Sequence, residues 1–356
     1  MSDELPETMP VAVYRGDRKL VVEERPVPVP GPGQVLVEVD HCGVCGSDLH
    51  LVIEGWGRPG TIAGHEFAGT LRALGPGVSG WSLDDAVVGG PSPRCGRCRR
   101  CREGKPSQCE QRQAMASGQH TDGAFARYVL LDEGALRRVP EGLALRTAAL
   151  AEPLAVALHG ITRARLGPED TVMIFGAGPI GALSLAALVH EGRPVTVVEP
   201  NHTRRQLATR LGAAAVLDPA ELERFEHFEP ERIAERAVDA VLECSGQQAA
   251  IELGLHQLRR GGRLVLVGAG MGQPTFDPNR VLLNELEICG SFVYDADGFE
   301  RALALLASET WPTDVLVEQD DVSLDQLGDA LVDLAEGRIA GKVMVAPRRS
   351  GEAVPV

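Results

Sequence analysis

Aromatic residues are scarce in this chain, at 4% of its 356 residues. Three Trp, three Tyr and eight Phe fill little volume, so the cores must rest on Ala, Val and Leu. No run of about 18 apolar residues occurs, which argues against a membrane-spanning helix. Positive charge is in deficit: 35 Lys and Arg stand against 50 Asp and Glu, a formal net charge of −15. Such a surface repels nucleic acid and anionic lipid and favours solubility. The opening MSDELPETMPVAVYRGD is acidic and has no apolar stretch of signal-peptide type, so a cytoplasmic location is expected. Internal repeats and low-complexity tracts are also lacking.

Length suggests two domains at roughly 100–200 residues each. The hydrophobic fraction, 44%, suffices for two cores, and 41 Gly with 24 Pro imply many turns. Up to about residue 155 the chain reads as short strands, with period-two alternation in VAVYRG, LVVEERPVPVP and QVLVEVDHC. From Thr171 onward, apolar runs of strand length (TVMIF, PVTVVE, AAVLD, VDAVLEC, RLVLVG) alternate with helical segments such as Pro179–Glu191, Thr203–Leu211 and Ala249–Leu258. That alternation predicts an α/β unit with a parallel sheet covered by helices on both faces. A helix over Leu324–Glu336 and a last strand, GKVMVAP, are expected to return to the first domain. The predicted division is 1–155, 156–295 and 296–356.

Four of the eight cysteines fall in CGRCRRCREGKPSQC, placing Cys95, Cys98, Cys101 and Cys109 as C-x2-C-x2-C-x7-C. In a chain read as cytosolic, such clustering means metal more often than disulfides. Two-residue gaps let thiolates converge on one tetrahedral ion, and four of them close its shell, so the expected zinc is structural. Arg97, Arg99, Arg100, Arg102 and Lys105 should favour thiolates. An iron–sulfur cluster is the rival reading, disfavoured because the spacing is not a common ferredoxin pattern.

Phe175-Gly176-Ala177-Gly178-Pro179-Ile180-Gly181 follows a predicted strand and opens a predicted helix. That is the context in which Gly-x-Gly-x-x-Gly cradles a dinucleotide pyrophosphate at a helix N-terminus. Glu199 closes the next strand, where an acid binds ribose hydroxyls and repels a 2′-phosphate, so NAD is expected ahead of NADP. Arg204 and Arg205 nearby keep NADP open, since a guanidinium can hold a phosphate.

Two further segments bear metal-ligand residue types: Cys42-Gly43-Val44-Cys45-Gly46-Ser47-Asp48-Leu49-His50 and Gly64-His65-Glu66. With these motifs together, the chain resembles the zinc-containing medium-chain dehydrogenases, above all the branch with sorbitol, threonine and butanediol dehydrogenases. The resemblance runs over nearly the whole chain. It implies a GroES-like irregular β catalytic domain joined to a Rossmann doubly wound cofactor domain, with one catalytic and one structural Zn2+ per chain. It implies that Cys45 and His65 bind the catalytic zinc. In alcohol dehydrogenases proper a second cysteine precedes the cofactor domain; here Ala151-Glu152-Pro153-Leu154 stands instead. Glu66 is therefore expected as a ligand and Glu152 as a ligand or water-mediated partner, with the direct one of the two left open.

The resemblance also assigns Asp48 to accept a hydrogen bond from His65, Ser47 to touch the substrate hydroxyl, and His50 to pass a proton outward through the cofactor ribose. The plain alternative for His50 is a solvated loop histidine. Cys42, Cys244 and Cys289 are read as core, and His159 is given no role. The implied activity is oxidation of a secondary alcohol, with vicinal diols, polyols or amino alcohols preferred, or the reverse reduction. A sugar or cyclitol dehydrogenase, a catalytically silent cofactor-binding protein and a zinc-free quinone reductase are the rival readings. The resemblance further implies a homo-dimer or homo-tetramer, and the only other partner expected is a small-molecule substrate, with neither nucleic acid nor membrane.

Overall fold

The computed structural model describes residues 5–90, 95–111, 122–226 and 228–348. The extreme ends of the expected first and last segments lie outside them.

Period-two alternation in the first half becomes antiparallel sheet. β1 (Thr8–Tyr14) and β2 (Leu20–Pro26) form a hairpin. β3 (Gln34–Gly43) is buried along Val35–Val39 because it is central. β4 (Glu66–Leu74) pairs along one edge, while β6 (Tyr128–Asp132) and the short β14 (Met344–Val345) share the other. β5 (Ala86–Gly89) and β7 (Leu136–Arg138) complete this sheet. The expected return of the C-terminus is seen in β14, whose Val345 pairs with Cys42. The helix Leu327–Ala335 buries Leu327, Ala330, Leu331 and Leu334 in the same core as β3.

The second half forms a six-stranded parallel sheet of β8 (Val172–Phe175), β9 (Val195–Val198), β10 (Ala215–Leu217), β11 (Val238–Glu243), β12 (Leu258–Leu266) and β13 (Glu287–Gly290). Its order is β10-β9-β8-β11-β12-β13. This is the doubly wound order in which β8 and β11 flank the topological switch point, where a crevice opens at the strands' C-terminal ends. Helices Pro179–His190, His202–Arg210 and Gln248–His256 lie within one or two residues of their expected bounds. The all-apolar β8 is buried throughout, as a strand covered on both faces must be.

The helix Ala151–Ala164 joins the halves. Its buried residues share one core with Ala68 and Val88 of the first sheet, with Ile174 and Val265 of the second, and with Leu183 of the helix Pro179–His190. Anything on its first turn is thereby held rigidly at the junction. Helix Gly298–Leu306 packs in this same core through Phe299, Ala302, Leu303 and Leu306.

Candidate active site and metal centres

Cys45 stands at the N-terminus of the helix Gly46–Val52, where its backbone N–H donates to Asp48 Oδ2 at 2.9 Å. His65 precedes β4 and Glu66 opens it, opposite Gly43 of β3. Glycine at position 43 leaves room for the Glu66 carboxylate, since a Cβ there would strike Oε2 where it now stands. Cys45, His65 and Glu66 each offer one ligand atom, all within 4.8 Å of one another. Glu152, on the first turn of the junction helix, is buried but is not one of this tight trio. Its charge nevertheless acts on His65.

The donor chemistry fits a divalent cation. Burial alone would lower the His65 imidazole, but the Cys45 sulfur and the Asp48 and Glu152 carboxylates outweigh it and hold His65 well above the usual histidine range. Burial pushes the Glu152 carboxyl up to about 7, with His65 opposing and Glu66 reinforcing the rise. A cluster that draws a proton onto its histidine and away from full ionisation of its carboxyls is short of positive charge, which a metal supplies.

Part of that charge comes from Lys342, a residue that the sequence reading missed. Its Nζ donates to Glu66 Oε2 at 2.6 Å, Glu66 Oε1 at 2.9 Å and the Val44 carbonyl at 2.9 Å, fully inside the protein. Opposing Glu66 keeps its ammonium raised against the pull of burial. The signal was a lone lysine in the apolar segment IAGKVMV. The expected His65–Asp48 hydrogen bond is not made: His65 Nδ1 and Asp48 Oδ1 stand 3.9 Å apart. Ser47 lies exposed on the same helix, and His50 faces the cofactor half, its Nε2 3.2 Å from the Ala269 carbonyl.

Cys95, Cys98, Cys101 and Cys109 bring their sulfurs within 4.8 Å of one another. All are free cysteines. The thiolate bias has a different cause from the one expected. Arg99 and Arg100 are engaged with Glu103, at 2.6 and 3.2 Å. The backbone N–H groups of Cys101 and Glu110 instead lower Cys98 to about 6. Burial and the neighbouring Cys98 push Cys101 up to about 12, as crowded sulfurs must.

The glycine loop sits at the switch point. Gly176 turns out of β8 at φ +90°, a conformation that favours glycine, and the helix Pro179–His190 starts with Gly178 as its N-cap. Ile180 and Gly181 continue the first turn. Glu199 is buried just after β9. Its Oε2 accepts from the Ala177 N–H at 2.7 Å and its Oε1 from the Asn201 N–H at 2.8 Å, so it braces the loop. Arg204 points elsewhere than expected for a phosphate clamp, its Nη2 donating to the Leu334 carbonyl at 2.9 Å. A second brace went unread: Glu243 ends β11, fully buried, and accepts from the N–H groups of Ser245 at 2.8 Å and Gly246 at 3.0 Å. An acid closing an apolar strand ahead of Ser-Gly was its signal.

Residues 31–141 match the family model of the alcohol dehydrogenase GroES-like domain, and residues 179–308 match that of zinc-binding dehydrogenase. Over 361 aligned residues the chain is 34% identical to sorbitol dehydrogenase from Bacillus subtilis (strain 168), covering 98% of this chain and 100% of that protein. This protein is a zinc-containing medium-chain alcohol dehydrogenase. It stands in the branch of sorbitol and polyol dehydrogenases. Two solved members of the same fold are a zinc-binding dehydrogenase from Sinorhizobium meliloti 1021 bound to NADP (28% identity, 96% of this chain and 100% of the other, TM-score 0.82) and acetophenone reductase from Geotrichum candidum NBRC 4597 in complex with NAD (26% identity, 97% and 98%, TM-score 0.82). The dehydrogenase is thus an oxidoreductase interconverting alcohol and carbonyl compounds with zinc and a nicotinamide cofactor. No helix among its described residues is long and apolar enough to cross a membrane.

Proposed function

We propose that the enzyme oxidises a vicinal diol, polyol or amino alcohol to a ketone with NAD, or runs the reverse. The observation that carries this reading is Glu152: a buried carboxylate at the domain junction, close enough to influence His65. A second substrate hydroxyl or amine can donate to it, which a monoalcohol lacks. Likeness to a sorbitol dehydrogenase supports the same choice.

Cys45, His65 and Glu66 would hold a catalytic zinc, with Glu152 beside them, and Cys95, Cys98, Cys101 and Cys109 a structural one. Bound zinc would supply Lewis acidity to the substrate oxygen and bound NAD the hydride acceptor. Ser47 takes the substrate proton and His50 carries it toward solvent. Asp48 fixes the Cys45 end of its helix. Gly176, Gly178, Pro179, Ile180 and Gly181 cradle the pyrophosphate, and the Glu199 carboxylate selects an unphosphorylated ribose. Arg204, turned to Leu334, is not committed to a 2′-phosphate, which favours NAD over NADP.

The catalytic domain comprises 1–155 and 296–356 and the cofactor domain 156–295. A homo-dimer or homo-tetramer fits the open edge of β13, near which Leu282 is 71% and Ile288 37% exposed. Eight free cysteines suit the reducing cytoplasm.

The test is reduction of NAD and NADP by the purified enzyme against diols, polyols, cyclitols, amino alcohols and monoalcohols, with metal analysis in parallel. Two zincs per chain and turnover of the polyfunctional classes with NAD is the expected result. Monoalcohols outperforming every diol would refute the substrate class, and activity confined to cyclitols would make this a specialised sugar or cyclitol dehydrogenase.

A further inference from the structure

Two arginines follow Glu199 on the helix His202–Arg210, and acceptors of the protein itself hold both. Arg204 Nη2 donates to the Leu334 carbonyl at 2.9 Å. Arg205 Nη1 is shared among the Glu199 carbonyl at 2.8 Å, the Pro200 carbonyl at 2.6 Å and Oδ2 of Asp218 at 2.9 Å.

The sheet places Asp218 there. β9 and β10 pair with Val198 opposite Leu217, and the Glu199 N–H donates to the Leu217 carbonyl at 3.0 Å. Asp218 is the next residue, so it stands beside Glu199 at the C-terminal ends of the strands. It also opens the one-turn helix Pro219–Glu221. Its Oδ1 accepts from the Ala220 N–H at 3.0 Å, and its N–H donates to Glu221 Oε1 at 2.7 Å. That reciprocal cap fixes the carboxylate and leaves Oδ2 for Arg205.

We propose that Asp218 is a positioning residue for cofactor choice: it holds the guanidinium of Arg205, the cation lying against Glu199, and so withholds it from a 2′-phosphate. This rests on the reading of Glu199 as the ribose selector.

A phosphate monoester carries about −1.5 to −2 charges at neutral pH, and a guanidinium is the side chain best matched to it. With Asp218 in place, Arg205 is neutralised before a cofactor arrives. A 2′-phosphate would have to displace that carboxylate, facing the Asp218 and Glu199 charges as it did so. A plain ribose carries no charge and meets neither penalty. Arg205 is 26% and Asp218 41% exposed, so water and salt screen the pair and its effect is modest.

Asp218→Asn tests this, because asparagine keeps the cap and removes only the charge. Asp218→Ser, also a cap former, should behave alike. Equilibrium binding of NAD and of NADP, without turnover, is measured by calorimetry. The proteins are the parent, Asp218→Asn, Asp218→Ser, Glu199→Gln, and Asp218→Asn combined with Arg205→Gln. The parent should prefer NAD. Either Asp218 variant should raise the NADP/NAD affinity ratio roughly 1.5–5-fold, the size of one exposed ion pair, and more at low salt. Adding Arg205→Gln should abolish the gain. An unchanged ratio in both Asp218 variants, or a gain that survives Arg205→Gln, would overturn the role of Asp218 while a ratio raised by Glu199→Gln left the selector standing. A parent that prefers NADP, or a ratio unmoved by Glu199→Gln, would overturn the reading of Glu199 and this proposal with it.

Discussion

Replacing Lys342 by Met should damage the metal-free enzyme far more than the metal-loaded one. The Lys342 ammonium is 3% exposed and the Glu66 carboxylate 0%, and they meet at 2.6 Å. Methionine keeps the volume of the stem but leaves Glu66 buried as an unpaired charge and the Val44 carbonyl without its donor. Removing one partner of a buried pair costs about 3–5 kcal/mol. At roughly 2–4 °C per kcal/mol for a cooperative unit of this size, the chelated variant should melt about 6–20 °C lower. Zinc added back would compensate the Glu66 charge directly and restore much of the loss. The double variant Lys342→Met, Glu66→Gln should also recover most of it, with about 1 kcal/mol left for Val44. Calorimetric melts of parent, single and double variants, with chelator and with zinc, measure all of this. A single variant melting within about 1 °C of the parent under chelation, or a double variant no better than the single, would refute the claim that Lys342 serves as the counter-charge of Glu66.

A pH-dependent tie lies away from the chemistry. His41 Nε2 is 2.9 Å from Asp321 Oδ2 and its Nδ1 contacts Asp40, joining β3 to the C-terminal return. Burial would lower the imidazole, but Asp40 and Asp321 raise it above the usual value. A raised folded-state value means that the stabilisation is complete below about pH 6.5 and is lost as pH climbs through the folded value. His41→Gln should therefore cost about 1–2 kcal/mol at pH 6 and less at pH 9, read as the gap between parent and variant melting curves. A gap that widens with pH contradicts it. At the cofactor loop, Glu199→Gln should raise kcat/KM for NADP relative to NAD. It should also weaken NAD several-fold, because the Ala177 N–H loses its anionic acceptor. An unaltered NADP/NAD ratio would remove Glu199 as the selector.

Legibility followed the reach of each interaction. The four-cysteine lobe sits within fifteen residues, and the glycine loop follows its own strand. Local spacing specifies both, and both were readable. So were the parallel strands, because burial on both faces leaves uninterrupted apolar runs such as Val172–Phe175. Lys342 was not readable as a partner of Glu66, since 276 residues separate them and a single lysine carries no periodic signal. The His65–Asp48 hydrogen bond carried over by resemblance is not made: Asp48 Oδ1 stands 3.9 Å from His65 Nδ1, while its Oδ2 accepts from the Cys45 N–H at 2.9 Å. Arg204 and Arg205 kept NADP open on proximity to Glu199 alone. In the fold the Nη2 of Arg204 donates to the Leu334 carbonyl at the end of the helix Leu327–Ala335, brought alongside by the return of the chain.

The amino-acid sequence by itself determined which groups could bind metal and dinucleotide, because ligand type and short-range spacing are properties of the chain. The tertiary structure decided their charge balance. Which carboxylate is countered by lysine, which is pushed toward neutrality and which nitrogen of His50 reaches the Ala269 carbonyl depend on burial and on neighbours hundreds of residues away. Electrostatic free energy is set by distance and desolvation in space, which only the folded chain supplies.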